Sequence, residues 1–338
     1  MQTAHAILFL SKLAVRKYKG GEEMAAAAAP PNSRGYYQFF QVDDAAEYVK
    51  HVQINRPERL NAFHDPMWGE LKTIFEDLST DPDVRCVLLS GAGDRAFTTG
   101  LDVTAATMRT GPDNNLANTT TSTTATDSDP SRKANSLRKH ILDLQSSVSA
   151  ISSCNKPVIA LMHGYCYGLG VDLATACDIR LCSRDARFSV KEVDIGLAAD
   201  VGTLSRLPQV MGGTTSWVKE VCLSGREFGA EEACQVGFVS RSAAVVTSRS
   251  TSSPSSTLLP ANKSVLIEDG MQLAKLIAGK SPVAVQGTKS LLNQTAGRSV
   301  EDHLRYTAVW NSAMLQSRDL ERAMGSVLQR RKPTFEKL

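Results

Sequence analysis

Lys156-Pro-Val-Ile-Ala-Leu-Met-His-Gly-Tyr-Cys-Tyr-Gly-Leu-Gly-Val-Asp172 is the stretch that decides the fold. Val158 to Met162 is a short, continuous apolar run with proline ahead of it and glycine behind it. That pattern reads as a buried strand. Gly164, Gly168 and Gly170 then lead into Val171–Cys177, which reads as the start of a helix. Glycines at such a junction let the backbone approach a ligand closely, and the helix start offers free N–H groups. The glycine spacing lacks the third position of a dinucleotide fingerprint, and the chain does not open on this unit. A nicotinamide site is therefore not expected.

The same alternation extends upstream. Tyr48 to Ile54 reads as a strand ended by Arg56-Pro57, and Met67, Leu71, Ile74, Phe75 and Leu78 share one face of a helix that Asp81-Pro82 stops. Val84 to Leu89 is a second short strand, left through Gly91-Ala-Gly93. Strand, helix, strand is the unit of a layered α/β domain. A second turn, Ala96-Phe-Thr-Thr-Gly-Leu-Asp102, also follows a strand and carries glycine. Two turns that each present an N–H are the ingredients of an oxyanion hole. Read alone, Asp102 is a helix cap. Leu137 to Ile151 predicts a helix, as do Val265 to Ala278 and Val300 to Leu328.

The expected division is a leader and linker over 1–35, a core over 36–264 and a helical region over 265–338 that covers the site and builds an oligomer. Two Ser/Thr-rich inserts, 110–135 and 242–263, bury too little apolar surface to order themselves.

Downstream of the opening stretch, three carboxylates stand among apolar and glycine-rich segments: Asp172, then Glu192 and Asp200, separated by 20 and 8 residues. A carboxylate in such surroundings is costly unless it is paired or used, because desolvation disfavours its charged form. Two of them facing one substrate could take a proton from one carbon and return it to another. Asp194 reads as a surface or ion-pair residue, and Asp178 with Arg180 as a structural pair. His163, Cys166 and Cys177 read as packing residues.

Composition narrows the partners. Hydrophobic residues at 42% and charged residues at 22% fit a globular domain. A net charge of +3 and no basic run beyond Arg330-Arg331-Lys332 argue against nucleic acid. The seven cysteines form no Cys-x-x-Cys and the six histidines no metal-ligand spacing, so neither a disulfide framework nor a metal site is expected. No apolar run reaches the ~20 residues of a membrane span. Residues 1–21 carry Lys12, Arg16, Lys17 and Lys19 without an acid, a composition that suits a mitochondrial transit peptide; a disordered leader, or a start at Met24, is the other reading. The terminal Glu336-Lys-Leu338 is a degenerate form of the Ser-Lys-Leu peroxisomal address.

Over roughly residues 40–330, inserts excluded, the chain resembles the crotonase (enoyl-CoA hydratase/isomerase) superfamily. The resemblance is carried by Asn55-Arg-Pro-Glu-Arg-Leu-Asn-Ala-Phe63, Ala96–Asp102, Lys156–Ala160, Gly164–Asp178 and Phe188–Pro208. Within that family, Lys191–Pro208 is most similar to the dienoyl-CoA isomerase members. The resemblance implies an α/β crotonase-like spiral of ββα units with a helical C-terminal region, assembled as a homotrimer or homohexamer. It implies an isomerase that turns 3,5-dienoyl-CoA into 2,4-dienoyl-CoA in β-oxidation of unsaturated fatty acids, in peroxisome or mitochondrion. No cofactor is implied beyond the coenzyme A of the substrate.

Residue by residue, the resemblance makes Glu192 the base at C2, Asp200 the acid at C6 and Asp172 an auxiliary carboxylate. Thr99 and Leu169 supply the oxyanion-hole N–H groups; leucine at 169 would be strained at positive φ. Ala62, Thr98, Gly100, Leu101, Asp102, Gly168 and Gly170 border the thioester. Two other functions compete. An enoyl-CoA hydratase needs two carboxylates on one water, for which Asp172 is one methylene short and Asp200 intrudes. A non-catalytic crotonase-fold binding protein would not need the acids at all.

Overall fold

The computed structural model describes residues 37–103, 129–240 and 259–338. The leader, the linker and most of both inserts lie outside these residues.

A five-stranded sheet runs in the order β1 (Phe40–Ala46), β2 (Val49–Ile54), β3 (Cys86–Gly91), β5 (Val158–Met162) and β7 (Ile179–Cys182). The β1–β2 pair is antiparallel and the rest are parallel. Strands β3 and β5 are wholly buried, as their unbroken apolar runs dictate. Strand β1 was not expected, because Asp43-Asp44 interrupts its pattern. The pairing resolves this: Asp44 stands opposite Lys50 and meets its ammonium at 2.6 Å. A second, four-stranded sheet orders β4 (Ala96–Thr98), β6 (Tyr165–Tyr167), β8 (Arg187–Ser189) and β9 (Phe228–Gly229).

Helix α1 (Asp65–Thr80) has Pro66 in its first turn and buries Met67, Trp68, Leu71, Ile74, Phe75 and Leu78. Each such side chain is worth ~1.5–3 kcal/mol of transfer from water. Helix α2 (Pro130–Ser153) starts seven residues before Leu137. Its first turns are Ser/Lys/Arg-rich and read as insert, but Asp129 caps them by accepting from the Ser131 N–H at 3.2 Å. Helix α3 (Leu169–Ala176) is fully buried and leaves the second sheet at Gly168. Then come α4 (Thr203–Val210), α5 (Ser216–Ser224), α6 (Ala230–Gln235), α7 (Lys263–Ala278), α8 (Pro282–Asn293), α9 (Val300–Met314) and α10 (Arg318–Leu328). Helix α7 lies on β3 and β5. The final third is helical, as expected.

The Asp178 pairing differs from expectation. Its Oδ2 meets Lys289 Nζ of α8 at 2.7 Å and accepts from the Val158 N–H. Lys289 also donates to the Lys156 carbonyl at 2.9 Å. The Arg180 guanidinium instead donates to the Phe238 and Cys177 carbonyls. Sequence proximity pointed to Arg180; the fold brings a lysine from 111 residues away. Breaking one partner of a buried pair leaves the other uncompensated. Lys289→Met should destabilise the protein by about 3 kcal/mol in urea unfolding, the low end of that class because Asp178 keeps some solvent contact. An unchanged midpoint would show that the pair is not a strut.

Candidate active site

The first wall of the site is built where 55–63 lies along 96–102. Asn61 is fully buried in the left-handed region, at φ 57°. Its side-chain amide donates to the Ala92 and Ala96 carbonyls at 2.9 and 2.8 Å, and its Oδ1 accepts from the Arg56 N–H. Thr98 Oγ1 donates to the Asn61 carbonyl at 2.7 Å and accepts from the Gly100 N–H at 3.2 Å. Phe63 and Leu101 form a parallel bridge: the Phe63 N–H donates to the Gly100 carbonyl, and the Asp102 N–H to the Phe63 carbonyl, both at 2.8 Å.

This pairing corrects the reading of Thr99. The Thr99 N–H donates to the Leu60 carbonyl at 3.2 Å, so it is not free for a substrate. Across Thr99–Asp102, the Leu101 N–H is the one without an acceptor among the described residues. Successive N–H groups in an extended segment point to opposite sides. With Asp102 N–H turned toward Phe63, Leu101 N–H faces the other way.

The second wall is the start of α3. Gly168 carries the positive φ, 51°, and Leu169 is the first helical residue. The strain anticipated at Leu169 therefore does not arise; the glycine absorbs it. The Leu169 N–H is one of the orphan donors of the first turn. A β-carbon on Gly100 would stand 3.5 Å from Leu169 N, so the two turns meet. Gly170 is a close-packing position, because a β-carbon there would stand 3.1 Å from Cys166 Sγ and 3.2 Å from the Thr98 carbonyl. Thr98 is likewise fully buried and holds the turn. The Asp102 carboxylate turns to Arg56 at 2.7 Å, so this side chain braces the turn.

The carboxylates close the site. Asp172, on the first turn of α3, is 1% exposed and accepts at Oδ1 from the N–H and hydroxyl of Thr203. Burial lifts its pKa to about 6; Thr203 and the Arg206 guanidinium oppose this and the Asp200 charge adds to it. Glu192 lies in a 3-10 turn, Lys191–Ile195, with one buried carboxylate oxygen that has no hydrogen-bond partner among the described residues. Its other oxygen is 3.2 Å from where a β-carbon on Gly168 would be. Burial, then the charges of Asp172 and Asp200, push Glu192 to about 7. Asp200 is partly exposed, and its carbonyl accepts from the Gln145 amide of α2 at 2.6 Å. Asp194 pairs with Lys191 at the surface, as expected. A cleft of about 1440 Å³ beside α8 contains none of the three catalytic candidates.

The charges of Asp172 and Asp200 thus both bear on Glu192, and Glu192 adjoins the glycine that precedes the Leu169 N–H. Residues 44–252 match the family model for enoyl-CoA hydratase/isomerase. The chain belongs to that family. It is 38% identical over 333 residues to the mitochondrial Δ(3,5)-Δ(2,4)-dienoyl-CoA isomerase of Mus musculus, covering 96% of this chain and 91% of that protein. It is 41% identical over 290 residues to the peroxisomal Δ(3,5)-Δ(2,4)-dienoyl-CoA isomerase of Arabidopsis thaliana, covering 86% and 93%. Among solved structures, enoyl-CoA hydratase from Bacillus anthracis superposes with a TM-score of 0.71 at 22% identity, over 88% of this chain and 99% of that one. That likeness speaks to the crotonase fold alone.

Sequence reasoning missed Arg56, Asn61, Gln145 and Thr203. Asn61 left a signal, an asparagine between leucine and alanine in the Asn55–Phe63 segment. Arg56 reaches Asp102, Gln145 the Asp200 carbonyl and Thr203 the Asp172 carboxylate, each at least 31 residues away.

Proposed function

We infer that this family member is a Δ3,5-Δ2,4-dienoyl-CoA isomerase acting in β-oxidation of unsaturated fatty acids. The observation that carries the reading is the third acid: Asp200 acts electrostatically on both Asp172 and Glu192. The relatives at 38–41% identity named for this activity support it, and the hydratase alternative is not favoured.

In the proposed reaction the thioester oxygen lies between the Leu101 and Leu169 N–H groups. Glu192 takes a proton from C2. The resulting anion spreads over the oxygen and the conjugated chain to C6, and the two donors hold the charge at oxygen. Asp200 delivers a proton to C6. The double bonds move from 3,5 to 2,4; Glu192 ends protonated and Asp200 ionised, and proton exchange resets both. The charges of Asp172 and Asp200 add to burial in raising Glu192, which makes it a stronger base toward C2. Asp172, held by Thr203, tunes Glu192 through its charge. The chemistry asks for no cofactor beyond the coenzyme A of the substrate. Mixing purified protein with a 3,5-dienoyl-CoA and following the absorbance of the carbonyl-conjugated product tests it; no product would end the reading.

A pH profile adds a test. A base must be ionised to act, and Glu192 is raised to about 7. The kcat/KM of the free enzyme should climb with pH through about 7. Removing the Asp172 charge, in Asp172→Asn, should move that rise to lower pH. An ascending limb near the ordinary glutamate range in the unaltered enzyme would rule out Glu192 as the base.

The mouse and human relatives are named mitochondrial and the Arabidopsis one peroxisomal. The same choice of organelles is proposed here. No helix among the described residues is long and apolar enough to cross a membrane. A homotrimer or homohexamer is proposed, supported by exposed Leu304 and Val309 on α9 and by Met324, Val327 and Leu328 on α10.

A further inference from the structure

We propose that Arg56 and Asp102 form a clamp that positions the Leu101 N–H for the developing oxyanion. The inference rests on the isomerase reading only in assigning that N–H to the thioester oxygen. A single nitrogen of Arg56, Nη1, donates to the Ala62 carbonyl at 2.9 Å and to Asp102 Oδ2 at 2.7 Å. Ala62 belongs to one of the two paired segments and Asp102 to the other. The guanidinium is thus a bridge across them, one residue to either side of the Phe63–Leu101 pairing. Both side chains are largely withdrawn from water, 16% and 9% exposed, so solvent screens the contact less than a surface pair.

Geometry gives the bridge a directional role. The Phe63 carbonyl fixes the Asp102 N–H on one side of the turn, which leaves the Leu101 N–H facing away from Phe63, in a turn that meets Leu169 at Gly100. Asp102 is the last residue of the pairing, and loss of its carboxylate anchor removes the restraint that Arg56 places on that end. A rotation of the 101–102 peptide would then turn the donor away from the oxygen. Donors help only when aimed in advance, so the loss should appear in the transition state and less in ground-state binding. Arg56 and Asp102 are positioning residues: neither touches the reacting atoms.

Arg56→Met, Arg56→Lys and Asp102→Asn provide the test. Arg56→Met should lower kcat by about 10–100-fold, less than deletion of an oxyanion donor, with KM within about threefold of the original. Lysine retains a charge that can reach the carboxylate and should recover most of the loss. Combining Arg56→Met with Asp102→Asn should cost little more than either alone, since they act as one unit. The second readout is binding of the product, 2,4-dienoyl-CoA, whose absorbance shifts to longer wavelength when its carbonyl is polarised by aimed donors. That shift should shrink in Arg56→Met and return in Arg56→Lys.

If kcat is unchanged, or falls with the spectral shift intact, the clamp does not position the donor and the proposal is overturned. Should Arg56→Met fail to fold in a melting check, Asp102→Asn decides by the same two readouts. A wild-type protein that shifts the product spectrum without isomerising 3,5-dienoyl-CoA would defeat the isomerase reading and leave the clamp standing.

Discussion

Glu192→Gln should abolish most turnover on 3,5-dienoyl-CoA, with kcat falling toward the upper end of the ~10²–10⁴-fold range for loss of a general base. The amide fills nearly the same volume in the recess beside Gly168, so thioester binding and KM should change little. The same substitution should stabilise the fold in alkaline solution. Glu192 is raised from an ordinary 4.5 to about 7 when folded. Its neutral form is the one the fold prefers, so its favourable contribution is complete below 4.5 and lost as pH rises through about 7. Glutamine never ionises and keeps that contribution. The variant should therefore melt above the wild type near about pH 8 and level with it near about pH 4. A protein less active and more stable in that window is the signature of a functional buried acid. Near-normal kcat, or a stability difference that does not change with pH, would remove Glu192 from the role.

Asp200→Asn separates the two proton transfers. Isomerisation should again fall by about 10²–10⁴-fold, because the acid at C6 is gone. The base is untouched, so the variant should still remove a proton from C2 and return one there. In heavy water it should place deuterium at C2 of unreacted 3,5-dienoyl-CoA while forming almost no 2,4-product, a result read by mass spectrometry. Normal isomerisation would refute Asp200 as the acid. Loss of deuterium uptake together with turnover would assign Asp200 to the first transfer instead of the second.

The layered α/β character and the main elements were legible because β3, β5 and α1 are governed by local periodicity. Those residues bury what their pattern says they bury. Strand β1 escaped because one of its two acids, Asp44, is stabilised from a neighbouring strand, at Lys50. The first turns of α2 escaped because a polar helix start and a polar insert have the same composition until a cap is seen.

The carboxylates of the site were legible as types, since an acid in an apolar setting needs a reason. Which N–H of the first turn is left without an acceptor was not. Thr99 and Leu101 carry the same backbone group, and only the pairing with Leu60 and Phe63 decides which is occupied. Likewise nothing near Asp178 announced Lys289, and nothing near Asp200 announced Gln145. Partners supplied from distant segments leave no local trace in sequence.

The crowding of Asp172, Glu192 and Asp200 also bears on which fatty acids can enter. The guanidinium that offsets Asp172, that of Arg206, donates to the Ser149 hydroxyl at 2.8 Å. An acyl tail ending in its own carboxylate a few carbons past C6 would bring a further carboxylate toward these three, with that guanidinium already engaged. A tail ending in a carboxylate should therefore turn over more slowly than a hydrocarbon tail of the same length.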